Sequence, residues 1–258
     1  MNKKETDLQV EAYNENNPSP HDLDVQSREE VEAAAENIDS VLDPEEDEEI
    51  KVKEVKEEEE NLDPTYLQTS PEVVGYNSIE EQEILYDFIL SNFNPTTESV
   101  LDLGCGRGDF ARYTENTYQT EFKYHGIDMN KQLIDVAKQL SPDTTFTNTN
   151  WFSLDGNYAS DWVLNINSTT IQYEPEGKEF DSVKALRNTV IKMMELADTG
   201  IVISLLSTLA AGAYDESYLV YDPIETLDWA LNEYGQHGGN VKIDHSMSDA
   251  VFILTIYK

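Results

Sequence analysis

The chain has 258 residues, with 52 acidic side chains against 17 basic ones and a formal net charge of −35. A field of that sign repels phosphate backbones and anionic lipid, which argues against direct nucleic-acid binding and adhesion to a membrane surface. Cys105 is the single cysteine, so no internal disulfide can form, and this usage points to an intracellular, cytoplasmic setting. No run of ~18 apolar residues reads as a membrane span. The first residues carry two lysines with no apolar stretch after them and do not read as a signal peptide.

Charge and composition divide the chain near residue 64. Residues 1–64 hold 23 Asp/Glu and 6 Lys/Arg, a net of −17, and one aromatic residue, Tyr13. That leaves too little apolar area to offset a chain entropy of roughly 1–2 kcal/mol per residue, so an acidic, largely disordered leader is expected. Within it, Ser27 to Glu30 has capping-box form, and Val31, Ala34, Ala35, Ile38, Val41 and Leu42 follow at helical spacing before Pro44. A short helix over 27–42 is therefore expected, the one stretch of the leader on which a protein partner could gain a specific grip.

Residues 65–258 read as one α/β domain in which apolar runs alternate with helical patterns. Ser78-Ile-Glu-Glu81 is a capping box, opening a helix with Ile79, Leu85, Phe88 and Ile89 as its buried face. Strands follow at 99–103, 123–128, 144–147, 162–166, 200–206, 241–245 and 251–257. Helices are expected from about Phe110, over 130–140 before Pro142, and near 223–234. Phe180, Val183, Leu186, Val190, Met194 and Ala197 form a further helical stripe. The pattern predicts a doubly wound, mostly parallel seven-stranded sheet with an antiparallel last strand.

The most informative stretch is Leu101-Asp-Leu-Gly-Cys-Gly-Arg-Gly-Asp-Phe110, a glycine run between a buried strand and a helix start. Missing Cβ atoms there permit strained backbone and close approach of a ligand. The glycines at 104, 106 and 108 are spaced two and two, unlike the two-and-three spacing of a dinucleotide turn. No Lys-Ser/Thr follows, as a phosphate-binding P-loop requires. With Asp102 below the turn and Asp109 beside it, a cationic or zwitterionic ligand suits it better than a pyrophosphate. Asp128 stands twenty residues after Gly108 at the end of the second strand, where a carboxylate can accept the hydroxyls of a ribose.

These residues resemble the motifs of class I S-adenosylmethionine-dependent methyltransferases. Asp102, Gly104, Gly106 and Gly108 match the first motif, acidic-x-Gly-x-Gly-x-Gly, and Asp128 with Met129 the second. Asn150 matches the third motif, eleven residues before Asp161, with Trp151 beside it, and the stretch 161–167 resembles the fourth. The resemblance implies S-adenosylmethionine as cofactor, held by Asp102, Gly104, Cys105, Gly106, Gly108, Asp128, Met129, Asn150 and Trp151. It implies an in-line methyl transfer to a small-molecule or protein acceptor. The chain has Asn165-Ile-Asn-Ser-Thr-Thr where enzymes methylating exocyclic base nitrogens carry Asn/Asp-Pro-Pro-aromatic, which argues against that chemistry.

Asn167, Ser168, Tyr173 and Tyr214 fall in loops near strand carboxyl ends and are the candidates for the acceptor side, with Tyr76 as a lid. Cys105 reads as a small buried turn residue rather than a nucleophile, His125 as structural and His237 as a loop residue, and no metal site is expected. The alternative reading is a methyltransferase-like binding module, with catalysis lost or sidelined, in a viral (phage) or other assembly. The abundance of Asn, Thr, Asp and Tyr gives the chain the look of such sequence. An aminopropyl transferase is a third reading, on a similar fold.

Overall fold

Eight strands join in one sheet in this computed structural model, which describes residues 64–119, 122–169, 181–213, 218–235 and 240–258. They are β1 (Val100–Leu103), β2 (Tyr124–Asp128), β3 (Thr145–Asn148), β4 (Ser160–Asn165), β5 (Ala197–Ser207), β6 (Val220–Tyr221), β7 (Val241–Asp244) and β8 (Val251–Tyr257). The described α-helices are α1 (Pro64–Thr69), α2 (Ile79–Leu90), α3 (Asp109–Tyr118), α4 (Lys131–Leu140), α5 (Ser182–Leu196) and α6 (Pro223–Tyr234).

The strand order is β3-β2-β1-β4-β5-β8-β7, with the two-residue β6 pairing alongside β5. β1 to β5 run parallel, and β8 inserts antiparallel between β5 and β7. The chain reverses its direction of winding between β1 and β4, and it is outside the carboxyl ends of strands at such a point that open α/β sheets bind ligands.

Alternating side chains separate the two faces. Val100, Trp162 and Leu164 pack under α2, α3 and α4 with Leu85, Ile89, Phe110, Ala111, Ile134 and Ala137. Leu101, Leu103 and Val163 point the other way, toward Leu186, Val190 and Met193 of α5 and Ala230 of α6. Helix starts are set by side-chain acceptors: Ser78 Oγ takes the Glu81 N–H, Asn130 Oδ1 the Gln132 and Leu133 N–H groups, and Asp222 Oδ1 those of Ile224 and Glu225. Each such cap contributes about 1 kcal/mol. The Ser78 box is modified, because Glu81 reaches back to the backbone and side-chain N–H groups of Asn77.

Seven strands fall where expected, in a mostly parallel sheet with an antiparallel last strand, and the eighth, β6, has too short a pattern to read. Two helical faces are rotated from expectation. Ile79 is 51% exposed, and Gln82 and Tyr86 take its place on the buried side of α2. Val183 is exposed on α5, whose buried stripe is Leu186, Thr189, Val190, Met193 and Leu196; Ala197 already belongs to β5. Expectations for the leader with its helix at 27–42, and for Tyr173, Tyr214, Phe180 and His237, lie outside the described residues.

Candidate functional site

The glycine turn leaves β1 at Leu103 and enters α3 at Asp109. Gly104, Gly106 and Gly108 have φ of +83°, +56° and +75°, left-handed values that strain other residues, so the turn's path itself requires glycine. The turn is bonded to β2: the N–H groups of Gly104 and Cys105 donate to Ile127 O at 2.7 and 3.0 Å, and Gly106 N–H donates to Asp128 Oδ2 at 2.8 Å. Asp128 Oδ1 accepts from Asn130 N–H at 2.7 Å. Both carboxylate oxygens thus hold backbone, and each keeps a second lone pair for another donor.

Asp102 is buried on the α2–α4 face of the sheet and 2% exposed. Its Oδ2 accepts from the Tyr124 hydroxyl at 2.6 Å, while Oδ1 has no hydrogen-bond partner among the described residues. Burial pushes its carboxyl up to about 7, opposed by the Tyr124 hydrogen bond and assisted by the charge of Asp128. Beside it, Asn165 at the end of β4 donates to Leu103 O at 3.0 Å and to Ser168 Oγ at 2.5 Å, and its own Oδ1 is likewise unpartnered among the described residues. Two buried acceptors without donors therefore flank the switch point, a chemistry suited to a donor-bearing, cationic ligand.

The rim beyond Asp128 is formed by β3 and the turn after it. Asn148 Nδ2 donates to the carbonyls of Asp128 and Met129, and Thr149 N–H to that of Asp128. Asn150 caps a 3₁₀ turn, Trp151–Ser153, through Phe152 N–H. Trp151 stacks on Phe152 with ring centres 3.9 Å apart, and Met129 is 64% exposed. Direct bonds thus link the turn to Asp128, and Asn148 and Thr149 carry Asn150 and Trp151 to the same rim.

The acceptor-side candidates divide. Ser168 lies over Gly104, where a Cβ would come within 2.3 Å of the Ser168 Cβ. Asn167, at φ +57°, donates its N–H to Ser204 Oγ at 2.8 Å and its side-chain amide to Gly75 O at 3.1 Å. Tyr76 is no lid, because its ring is buried edge-on against Tyr86. Burial, with Asp102 and Asp128 nearby, raises the Cys105 thiol well above its ordinary value, which disfavours the nucleophilic thiolate. His125 bonds Thr147 Oγ1 at 2.8 Å within the sheet. Among the described residues, no group of His, Cys, Asp and Glu is placed to hold a metal.

Asp109 alters the electrostatic argument made from sequence. It is ion-paired with Arg107 at 2.8 Å and also with Arg112, so its charge is spent within the turn. Arg107 itself is 3% exposed and donates to Leu67 O at 2.8 Å. Sequence reasoning passed over Arg107, Tyr124 and Asn165. For Tyr124 the signal was present, since it stands two residues before the Gly126 that pairs with Asp102 and so shares its face.

Residues 100–184 match the family model described as a methyltransferase domain. Against curated proteins the sequence finds no significant match. Among solved structures, a protein of Pyrococcus horikoshii OT3 aligns with a TM-score of 0.54 at 15% identity, over 76% of this chain and 96% of that one. Magnesium protoporphyrin IX methyltransferase from Synechocystis PCC 6803, with bound S-adenosylhomocysteine, aligns at 0.50 and 14%, over 75% and 96%. The methyltransferase domain of a bacterial Hen1 protein aligns at 0.51 and 13%, over 69% and 98%. The matched strand–turn–helix region is thus similar to a methyltransferase domain, and the chain shares the fold of these solved structures.

Proposed function

We propose that this chain is an S-adenosylmethionine-dependent methyltransferase acting on a small-molecule or protein acceptor. The observation that carries this reading is the joint of glycine turn and acid, in which Gly106 N–H is held by Asp128 beside the unpartnered Oδ1 of Asp102. The residues fit the cofactor's chemistry. Asp128 keeps lone pairs for the ribose hydroxyls, Met129 and Trp151 offer apolar surface to the adenine with Asn150 beside them, and Asp102 favours the cationic methionine end. The cofactor supplies a methyl carbon already activated by its sulfonium leaving group.

What the protein must add is position, because displacement at that carbon requires an acceptor held in line with the departing sulfur. Ser168 and Asn167, set between the glycine turn and the end of β4, are the described side chains best placed to orient an acceptor. The solved structures named above include a magnesium protoporphyrin IX methyltransferase. Small-molecule acceptors are therefore the first to try.

Calorimetry with S-adenosylmethionine, S-adenosylhomocysteine and NAD tests the cofactor assignment: the first two should bind and NAD should not. Labelled methyl transfer into lysate, read as a +14 Da product, tests catalysis. Tight binding without any transferred label would favour the alternative, a methyltransferase-like binding module. No binding of either cofactor form at millimolar concentration would overturn the enzyme reading.

A further inference from the structure

The segment from Pro64 to Asn77 runs across the glycine turn rather than away from it. Arg107 donates from Nη1 to Leu67 O at 2.8 Å, holding α1 down on the turn. α1 lies against α4, the helix that follows Asp128 and Met129, so it crosses the same rim. Farther along, Val74 fills the space left by the missing side chain of Gly106: a Cβ there would stand 3.1 Å from Val74 Cγ1. Asn167 Nδ2 then donates to Gly75 O at 3.1 Å and approaches Val74 O at 3.4 Å, tying the segment to the loop after β4. The glycine surface expected to approach a ligand is covered by the chain's own atoms.

The attachment is light. No side chain from Thr65 to Val74 is fully buried, and the first buried anchor is Tyr76, 7% exposed against Tyr86. The backbone bonds within the segment are local: Ser70 N–H to Tyr66 O, Gly75 N–H to Glu72 O and Tyr76 N–H to Pro71 O. The first two survive if residues 64–75 move as a unit, and only the third, which crosses to Tyr76, has to break. Gly75, at φ +83°, sits between this unit and the fixed Tyr76 and provides the pivot. Release does not strand a buried charge, because Arg107 keeps its ion pair with Asp109 when Leu67 departs. Few buried apolar contacts, a pivot and a charge that stays paired are the features of an element that opens below the global unfolding free energy.

We propose that residues 64–75 form a gate on the glycine turn, pivoting at Gly75, which must swing aside before the cofactor can load. This rests on the reading of the turn as the cofactor site. In the closed state Val74 and Leu67 hold the gate from the turn's side and Asn167 from the side of β4, so the gate senses both halves of the groove.

The test is stopped-flow binding of S-adenosylhomocysteine to the full chain, followed by tryptophan fluorescence, for the unaltered protein, Val74→Ala and Arg107→Lys. Gating predicts an observed rate that levels off with rising ligand concentration. It also predicts that Val74→Ala raises the plateau by about fivefold, the scale of trimming a partly buried pair of methyls. Binding that appears only in Val74→Ala or Arg107→Lys would also support the gate, in its fully closed form. A rate that rises linearly and is the same in Val74→Ala, or a plateau that Val74→Ala does not move, overturns the gate while leaving the cofactor reading intact. No binding by any of the three proteins overturns both. Val74→Ala, a partly exposed truncation, keeps the test decisive should Arg107→Lys fail to fold.

Discussion

Tyr124 on β2 donates a 2.6 Å hydrogen bond to Asp102 on β1, and this bond holds a carboxyl that burial otherwise drives toward its neutral form. The pair sits beneath the glycine turn with one carboxylate oxygen unpartnered among the described residues.

A pH dependence of stability follows. Asp102 titrates at about 7 in the fold, against about 3.9 in an unfolded chain. The folded state holds this proton more tightly, so the group's contribution to stability is fully present below the unfolded value and is lost as pH rises through the folded one. Asp102→Asn removes the titration, and its urea midpoint relative to the parent should improve steadily between about pH 4 and pH 7. Tyr124→Phe, which deletes the bond that lowers the value, should move the parent's transition to higher pH. A parent-to-variant difference independent of pH would place the titration elsewhere.

Asp128→Ala should weaken S-adenosylhomocysteine binding by roughly ten- to hundred-fold, the loss of hydrogen bonds to a charged group contributing ~1.5–3 kcal/mol. The structure adds a cost to the fold, because Asp128 also accepts the backbone N–H groups of Gly106 and Asn130. Asp128→Asn, which keeps one acceptor, should lower the melting temperature less than Asp128→Ala. Unchanged affinity in either folded variant would mean that the ribose is held by other residues.

The glycines separate by a simple substitution. Gly108 has φ +75°, and an added Cβ would lie 2.5 Å from Phe146 Cζ of the core. Gly108→Ala should destabilise by about 2–4 kcal/mol, the left-handed backbone and the overpacking each contributing. Gly156, with nothing within 4 Å of an added Cβ, serves as control, and Gly156→Ala should stay within about 0.5 kcal/mol of the parent. Chemical denaturation of the two variants decides this, and equal effects would contradict the packing described for Gly108.

Much of this domain was legible because its signals are local. Buried strands such as 99–103 and 251–257 are mostly apolar runs, the glycine turn is a contiguous motif, and Ser78 and Asn130 announce their helices. What escaped is non-local. Nothing around Val74 says that it fills the space over Gly106, and nothing near Leu67 says that its carbonyl caps Arg107 forty residues away. Ile79 and Val183 fit a helical period by spacing, yet only the neighbouring elements decide which side of that period is buried. Asp109 looked like an acid facing a ligand because its arginine partners are visible only once the turn is folded.

The last prediction concerns where the chain can be cut. Residues 1–60 carry much of the acid and few residues able to form a core, and α2 begins with its own cap at Ser78. We therefore expect that deleting residues 1–60 leaves the melting temperature and the affinity for S-adenosylhomocysteine nearly unchanged. Deleting residues 1–75 is a different experiment, because it removes the Leu67 carbonyl from Arg107, the Val74 side chain from Gly106 and the Gly75 carbonyl from Asn167. Each such loss is about 1 kcal/mol, and each 1 kcal/mol lowers the melting temperature of a domain this size by about 2–4 °C. The longer deletion should thus melt several degrees lower while Tyr76, still present, keeps α2 anchored. Scanning calorimetry of the two truncations beside the full chain gives the comparison. A shorter truncation that melts as low as the longer one would place a stabilising role upstream of Pro64 and move the domain's boundary toward the start of the chain.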